Sequence, residues 1–221
     1  MTAVKAANSS KKCRQEIKAR LGKKTNGEFL MHAIDVFHKY TDQLISQRQK
    51  TESLAPFDCG KGCTACCHLR VEALPPEIFK IAWHIGTLAE GTQQTWIQRL
   101  RQHAGQAEGK TYRDYHARCP FLDAAGGCGI YAIRPHKCRT HLSTSRTACD
   151  TPGNARPDPK LQAAEDALAL EVIALYKSRG VSMNPAELSQ GVLTALTSDN
   201  GLQAWLNGEQ VFAPLPEGIQ L

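Results

Sequence analysis

Apolar residues recur every three or four positions along much of this chain, and this spacing predicts amphipathic helices. The clearest case is residues 25–47, where Thr25 and Glu28 form a capping box at the start. The stripe that this helix should bury consists of Phe29, Ala33, Val36, Phe37, Tyr40 and Leu44. The pattern predicts a fold that is mostly α.

Proline, glycine and asparagine mark where further helices begin and end. Pro75 or Pro76 should open one helix, Gly180 should stop another, and Asn184 should be an N-cap. The remaining predicted helices are residues 75–88, 93–107, 158–180, a segment starting at Asn184, and residues 202–206. We expect a single helical domain built from these elements.

Two irregular segments, residues 56–71 and 118–159, interrupt the helices and are rich in Gly, Pro and Cys. In the second, Gly126 and Gly127 predict a tight hairpin that brings Cys119 and Cys128 together. Pro135 then predicts a helical turn that carries Cys138. We expect the two segments to converge on one metal site.

Charge divides the chain into an arm and a body. Eight of the 27 basic residues lie within residues 1–24, together with one acidic residue, Glu16, while the rest is close to neutral. This composition predicts a basic, poorly ordered arm over residues 1–24, in which Cys13 is an exposed thiol. Residues 25–208 should form the helical domain, and the Pro-rich residues 209–221 an extended tail.

The compartment affects how the nine cysteines are interpreted. The sequence shows no membrane span and no secretory signal, so we expect a cytoplasmic protein. Thiols stay reduced in that compartment, and an odd number of cysteines does not suit a disulfide framework. Clustered cysteines therefore indicate metal ligands or redox groups.

Eight of the cysteines are candidate metal ligands because they form two tight groups, one in each irregular segment. Two or three thiolates from one loop surround only one side of an ion, so a second segment must complete the site. The candidates are Cys59, Cys63, Cys66, Cys67, Cys119, Cys128, Cys138 and Cys149. Both zinc and an iron–sulfur cluster suit such ligands.

The spacing leaves several details of this site open. The adjacent Cys66 and Cys67 reach one ion only if the backbone bends. Three histidines, His68, His136 and His141, lie near the cysteines and are more often hydrogen-bonding neighbours than ligands. Arg134 and Arg139 are expected to neutralise thiolate charge or to brace the loop, although they could also hold an anionic substrate.

The spacing Cys59-x3-Cys63-x2-Cys66 also occurs in radical S-adenosylmethionine enzymes. Here Ala65 stands where an aromatic residue is usual, and no Gly-Gly-Glu-like segment follows. This interpretation is therefore weak.

At these residues the sequence resembles the YkgJ-like cysteine-cluster proteins. The shared features are the "CGKGCTACCH" cluster, the "CPFL" segment from Cys119, and "CGIYAIRPHKCR", with Cys149 after them. The resemblance spans residues 57–150 and implies a zinc- or iron-chelating domain. Flagellin lysine-N-methylases look similar in having a cysteine cluster followed by CPFL, which implies an iron–sulfur site and methyl transfer. This chain is much shorter and has "CRTH" where theirs continues differently.

Three functions follow as hypotheses. The first is a metal-binding module, and the second is an iron–sulfur enzyme that modifies a protein or a small molecule. The third, nucleic-acid docking through the basic arm, is disfavoured because a solvated terminus is the commoner origin of such charge. No motif identifies catalytic residues, and the sequence is compatible with a protein partner or a substrate in addition to the metal.

Overall fold

The computed structural model describes residues 3–21, 27–60, 62–110, 114–151 and 154–215, with side chains from residue 10 onward. Most of these residues lie in eight α-helices, and the one sheet among them has two short strands, which confirms the mostly α fold class. The helices are α1 (Ala3–Leu21), α2 (Gly27–Gln49), α3 (Pro75–Gly86), α4 (Glu90–Ala107), α5 (His136–Thr140), α6 (Pro159–Lys177), α7 (Leu188–Thr197) and α8 (Gly201–Leu206). The strands are β1 (Glu72–Ala73) and β2 (Ala186–Glu187), which pair antiparallel.

Helix α2 is the centre of the fold and contacts α1, α3, α5 and α6. The predicted stripe is buried except at its first position, Phe29, whose exposed fraction is 56%. The prediction that Phe29 faces the core was therefore wrong, and this residue lies in the first turn of α2. Thr25 of the predicted capping box falls outside the described residues.

The N-terminal segment differs most from its prediction. Instead of a poorly ordered arm, Ala3–Leu21 is helix α1, which packs against α2 and α6. Cys13, Ile17 and Leu21 recur every four residues and are buried on one face of this helix. Cys13 is therefore a core residue with 0% exposure, and not the exposed thiol that the charge of the segment suggested.

Helix α6 begins as its sequence predicts. Pro159 occupies the first turn, and the Asp158 carboxylate accepts hydrogen bonds from the backbone N–H groups of Lys160 and Leu161. The same carboxylate pairs with Arg48 Nε at 2.8 Å, which fixes the start of α6 against the end of α2. Gly180 has a positive φ of 80° just after the helix, as a stop signal requires.

Helix α7 begins later than its sequence suggests. Residues 186 and 187 extend as strand β2, and the helix starts at Leu188 with Glu187 as its N-cap. The expectation of Asn184 as the N-cap was wrong because pairing with β1 holds the intervening residues extended. Gly191 then allows α7 to approach α3, since a Cβ there would lie 2.7 Å from Ile78 Cδ1.

The described part of the tail packs on the domain. Phe212 is buried, and its ring centre lies 5.1 Å from that of Phe79 in α3. Among the described helices, none is long and apolar enough to cross a membrane.

Glu165 in α6 is a buried carboxyl whose charge the fold does not favour. Its side chain is 3% exposed, and Oε1 has no hydrogen-bond partner among the described residues. Burial, together with the charges of Asp166 and Asp158, raises its pKa from 4.5 to about 8. Between these two pH values the unfolded chain ionises this group while the folded chain keeps the proton, so the group lowers stability as pH rises.

We expect Glu165→Gln to remove this loss, because the amide does not ionise. Its free energy of unfolding should exceed that of the wild type by about 2–4 kcal/mol near pH 8 and differ little near pH 4.5. Urea unfolding at both pH values measures the difference. A gain of the same size at both pH values would contradict the assignment to the charge of Glu165.

Candidate metal centre

The first cysteine segment folds into a tight turn. Residues Ala65–His68 form a 3-10 helix, in which the N–H of Cys67 bonds to the carbonyl of Thr64 at 2.9 Å. The backbone is therefore bent at Cys66 and Cys67, as one shared metal site would require. The side chain of Cys67 raises the pKa of the Cys66 thiol, so the two side chains are neighbours.

The second segment contains the predicted hairpin. Leu122 and Cys128 form an antiparallel bridge, and the N–H of Gly129 bonds to the carbonyl of Phe121 at 2.8 Å. Gly126 has a φ of 83° in the turn, which only glycine adopts without strain. The hairpin places Cys119 and Cys128 at the two ends of one short loop, so this prediction is confirmed.

Backbone hydrogen bonds connect the two segments directly. The N–H of Cys119 bonds to the carbonyl of Cys67 at 2.7 Å, and that of Ala117 bonds to the carbonyl of His68 at 3.2 Å. A Cβ at Gly126 would lie 3.3 Å from the Thr64 side chain, so the turn of the hairpin also contacts the first segment. The structure therefore brings the two cysteine segments together, as expected from the sequence.

Helix α5, which carries Cys138, is fixed by a buried carboxylate. Glu77 Oε1 accepts a hydrogen bond of 2.7 Å from the backbone N–H of His136, the first residue of α5. The same oxygen lies 2.7 Å from His38 Nε2, and Oε2 accepts from the N–H of Leu74 at 2.9 Å. Burial favours the neutral carboxyl, but these hydrogen bonds and the charge of His38 outweigh it and lower the pKa of Glu77. An ionised carboxylate thus joins α2 and α3 to the cysteine-bearing turn.

A loop around Ser143 positions the two outermost candidates. The N–H of Ser143 donates to Cys59 Sγ at 3.3 Å, and the N–H of Asp58 bonds to the carbonyl of Ser143 at 2.9 Å. Cys149 lies in a 3-10 helix, Thr147–Asp150, and its thiol bonds to the carbonyl of Ser145 at 3.5 Å. The first segment and the end of the second segment therefore also meet here.

The cysteines form two groups, according to which thiols change one another's pKa. The pKa of Cys138 is raised, first by burial and then by the charges of Cys119, Cys66 and Cys128, and we call these four the inner thiols. Burial is also the main reason that the pKa of Cys119 rises to about 11, and Cys128 and Cys66 again contribute. The inner thiols thus lie close enough to oppose one another's ionisation.

A second group surrounds Cys59. Burial raises the pKa of this thiol, and the charges of Cys63, Cys149 and Cys66 add to the effect. We call Cys59, Cys63 and Cys149 the outer thiols. Cys66 interacts with both groups, and the neighbouring Cys67 side chain is the largest cause of its own raised pKa.

The donor chemistry of this cluster fits zinc or iron. All nine cysteines are free thiols, and thiolate is a ligand that zinc and iron–sulfur clusters prefer. Within the described residues, however, no three Cys, His, Asp or Glu side chains stand together as a ready set of metal ligands. The thiols are neighbours in the fold, and their side chains would have to turn toward a common ion.

The arginines near the cluster act as the sequence suggested. Arg139 donates to the carbonyls of Arg134 at 3.0 Å and Ala132 at 2.7 Å, and pairs with Asp42 at 2.8 Å, so it braces the loop. Arg134 lies over the Tyr131 ring, and its charge favours the thiolate forms of Cys66 and Cys128. Arg139 therefore stabilises the position of the loop, and Arg134 stabilises the negative charge of the thiolates.

The histidines near the cysteines differ in what their rings contact. His136 is buried, stacks on Phe37 with ring centres 4.3 Å apart, and lies 3.2 Å through Nδ1 from the Thr41 hydroxyl. His141 is half-buried, and burial lowers its pKa. His68 bonds through Nδ1 to the carbonyl of Thr64. His116 was not among the predicted site residues, although its position three residues before Cys119 could have indicated it.

A comparison with protein-family models identifies the cluster. Residues 58–159 match the family CxxCxxCC, described as "Putative zinc- or iron-chelating domain". The match contains all eight candidate cysteines of the CxxCxxCC domain and confirms the family resemblance inferred from the sequence. No curated protein and no solved structure matches the chain significantly.

Proposed function

We propose that this chain is a metal-binding protein of the YkgJ-like type, in which the cysteines of the CxxCxxCC domain hold zinc or an iron–sulfur cluster. The observation that carries the proposal is the 2.7 Å bond between the Cys119 N–H and the Cys67 carbonyl. This bond joins two segments that are rich in thiols, so that ligands from both can reach one ion.

The inner thiols, Cys66, Cys119, Cys128 and Cys138, are the ligands we propose first. Their mutual effects on pKa support this choice, because four thiolates are stable together only beside a cation. A bound metal supplies the positive charge that the described side chains do not provide in full, and binding releases the thiol protons. Cys67 and the outer thiols, Cys59, Cys63 and Cys149, would form a second metal site or surround the first metal ion.

A cytoplasmic location is part of the proposal. Nine free thiols, most of them partly exposed, suit a compartment where glutathione and thioredoxin keep cysteines reduced. A reducing compartment would also keep the cluster ready for metal.

The enzymatic alternative requires a substrate pocket beside the cluster. Among the described residues, one surface groove of about 470 Å³ runs along α2 and is lined by His38, Asp42 and Arg139 among others, but by no cysteine, so this groove does not supply that pocket. The nucleic-acid alternative also has little support, because most of the basic segment forms helix α1, which packs against α2 and α6, and Arg14 on this helix pairs with Glu171.

Titration of the reduced full-length protein with Co²⁺ under nitrogen tests the proposal. We expect intense thiolate-to-cobalt charge-transfer absorption that saturates at about one equivalent or more, as for a tetrahedral thiolate site. Zinc should displace the cobalt and remove the absorption. Cobalt binding without this absorption, or no binding, would contradict the proposed function.

A further inference from the structure

Two histidines form a pair at the edge of the thiol cluster. His68 directly follows Cys67, and His116 precedes Ala117, whose N–H bonds to the His68 carbonyl at 3.2 Å. The two ring centres are 5.6 Å apart, with an angle of 31° between the ring planes. His116 is exposed and His68 is half-buried, so ions in solution can reach the pair.

The hydrogen bond of His68 fixes which of its nitrogens can bind a metal. Nδ1 lies 3.2 Å from the carbonyl oxygen of Thr64, and a carbonyl only accepts hydrogen bonds. Nδ1 therefore carries the proton, and in the neutral ring Nε2 keeps its lone pair. A ring N–H donated to a backbone carbonyl is the usual arrangement behind a metal-binding histidine.

The spacing of the two rings suits one ion between them. Metal–nitrogen bonds are about 2.0–2.1 Å long, so two imidazoles at a tetrahedral angle have ring centres roughly 5 Å apart. The observed separation of 5.6 Å is close to this value. The backbone bond between Ala117 and His68 keeps the rings adjacent.

We infer that His68 Nε2 and His116 hold a divalent ion, zinc or ferrous iron, in an outer position from which the ion passes to the thiols. The inference rests on the proposed function, because it requires the cysteines to be the destination. Two protein ligands leave the other coordination positions to water, so the ion is held weakly and exchanges. Cys67 is the neighbour of His68 in the chain, and its carbonyl is bonded to the Cys119 N–H. In each transfer step a thiol releases its proton to solvent and forms a metal–sulfur bond, while a metal–nitrogen bond breaks.

Loading kinetics of the full-length protein test the inference. Reduced protein is mixed with Co²⁺ in a stopped-flow instrument, and the growth of the thiolate-to-cobalt absorption is followed. We expect His68→Gln and His116→Gln each to slow this growth by about tenfold or more while leaving the final absorption unchanged, because the thiol ligands remain. His84→Gln, at a half-buried histidine in α3, is the control and should load at the wild-type rate.

A second measurement on the unmodified protein separates this inference from the proposed function. In imidazole ¹H–¹⁵N NMR spectra, Zn²⁺ added after the thiols are saturated should shift the ring nitrogen signals of both His68 and His116. Unchanged histidine signals, or wild-type loading rates in both variants, would overturn the inference while leaving a thiol metal site intact. Shifted histidine signals with no thiolate-to-cobalt absorption would instead contradict the proposed function.

Discussion

Glu77→Ala is expected to lower the free energy of unfolding by about 3–5 kcal/mol, because each buried donor left without its acceptor costs about 1–3 kcal/mol. The carboxylate accepts hydrogen bonds from His38 Nε2 and from the backbone N–H groups of Leu74 and His136. All three donors would be left without their acceptor in the interior, and an unsatisfied buried donor is costly. The start of α5 would also lose its attachment, so the position of Cys138 should become less defined.

Glu90→Ala is the matched control, because Glu90 also lies in the first turn of a helix, α4, but is exposed. This variant should lie within about 0.5 kcal/mol of the wild type. Urea unfolding followed by circular dichroism measures both variants. If the two substitutions lower the free energy of unfolding equally, Glu77 does not attach α5 to α2 and α3 as the hydrogen bonds indicate.

Cys66→Ser is expected to cause the largest loss of metal binding among the single cysteine variants. Cys66 interacts with the inner thiols and with Cys59, so it is the member common to both groups. A hydroxyl is a poor substitute for a thiolate, and the affinity for zinc should fall by more than the roughly 10–100-fold that follows loss of a supporting residue. Competition with a chromogenic zinc chelator measures the affinity.

Cys13→Ser is the control for this variant. Cys13 lies in the core between α1, α2 and α6, and burial is the main reason that its pKa rises to about 12. The buried hydroxyl should lower stability by about 1–3 kcal/mol but leave the zinc affinity unchanged. If Cys13→Ser and Cys66→Ser reduced the zinc affinity equally, the loss would reflect general destabilisation and not a ligand.

The features that local sequence determines were predictable. Proline opens α3 and α6, Gly180 ends a helical stretch, and Gly126 marks the hairpin turn, because each residue restricts or frees its own backbone. The convergence of the two cysteine segments also followed from chemistry, because two or three thiolates from one loop surround only one side of an ion.

Features that depend on distant contacts were not predictable in the same way. His38 and Glu77 are 39 residues apart, and nothing local indicates that they pair. The basic charge of residues 1–24 concealed the buried stripe of Cys13, Ile17 and Leu21, although its spacing is helical. Asn184 has the side chain of an N-cap, yet strand pairing delays the helix to Leu188.

Metal analysis of the protein purified anaerobically, without a metal-affinity tag, tests the central claim most directly. If the cysteines of residues 58–159 hold zinc or iron, the purified protein should contain about one equivalent or more of the two metals together. An absorption spectrum of the same sample distinguishes them, because iron–sulfur clusters absorb visible light and zinc does not. Less than about half an equivalent of zinc plus iron, in protein that is folded and fully reduced, would contradict the claim that this cluster is a metal site.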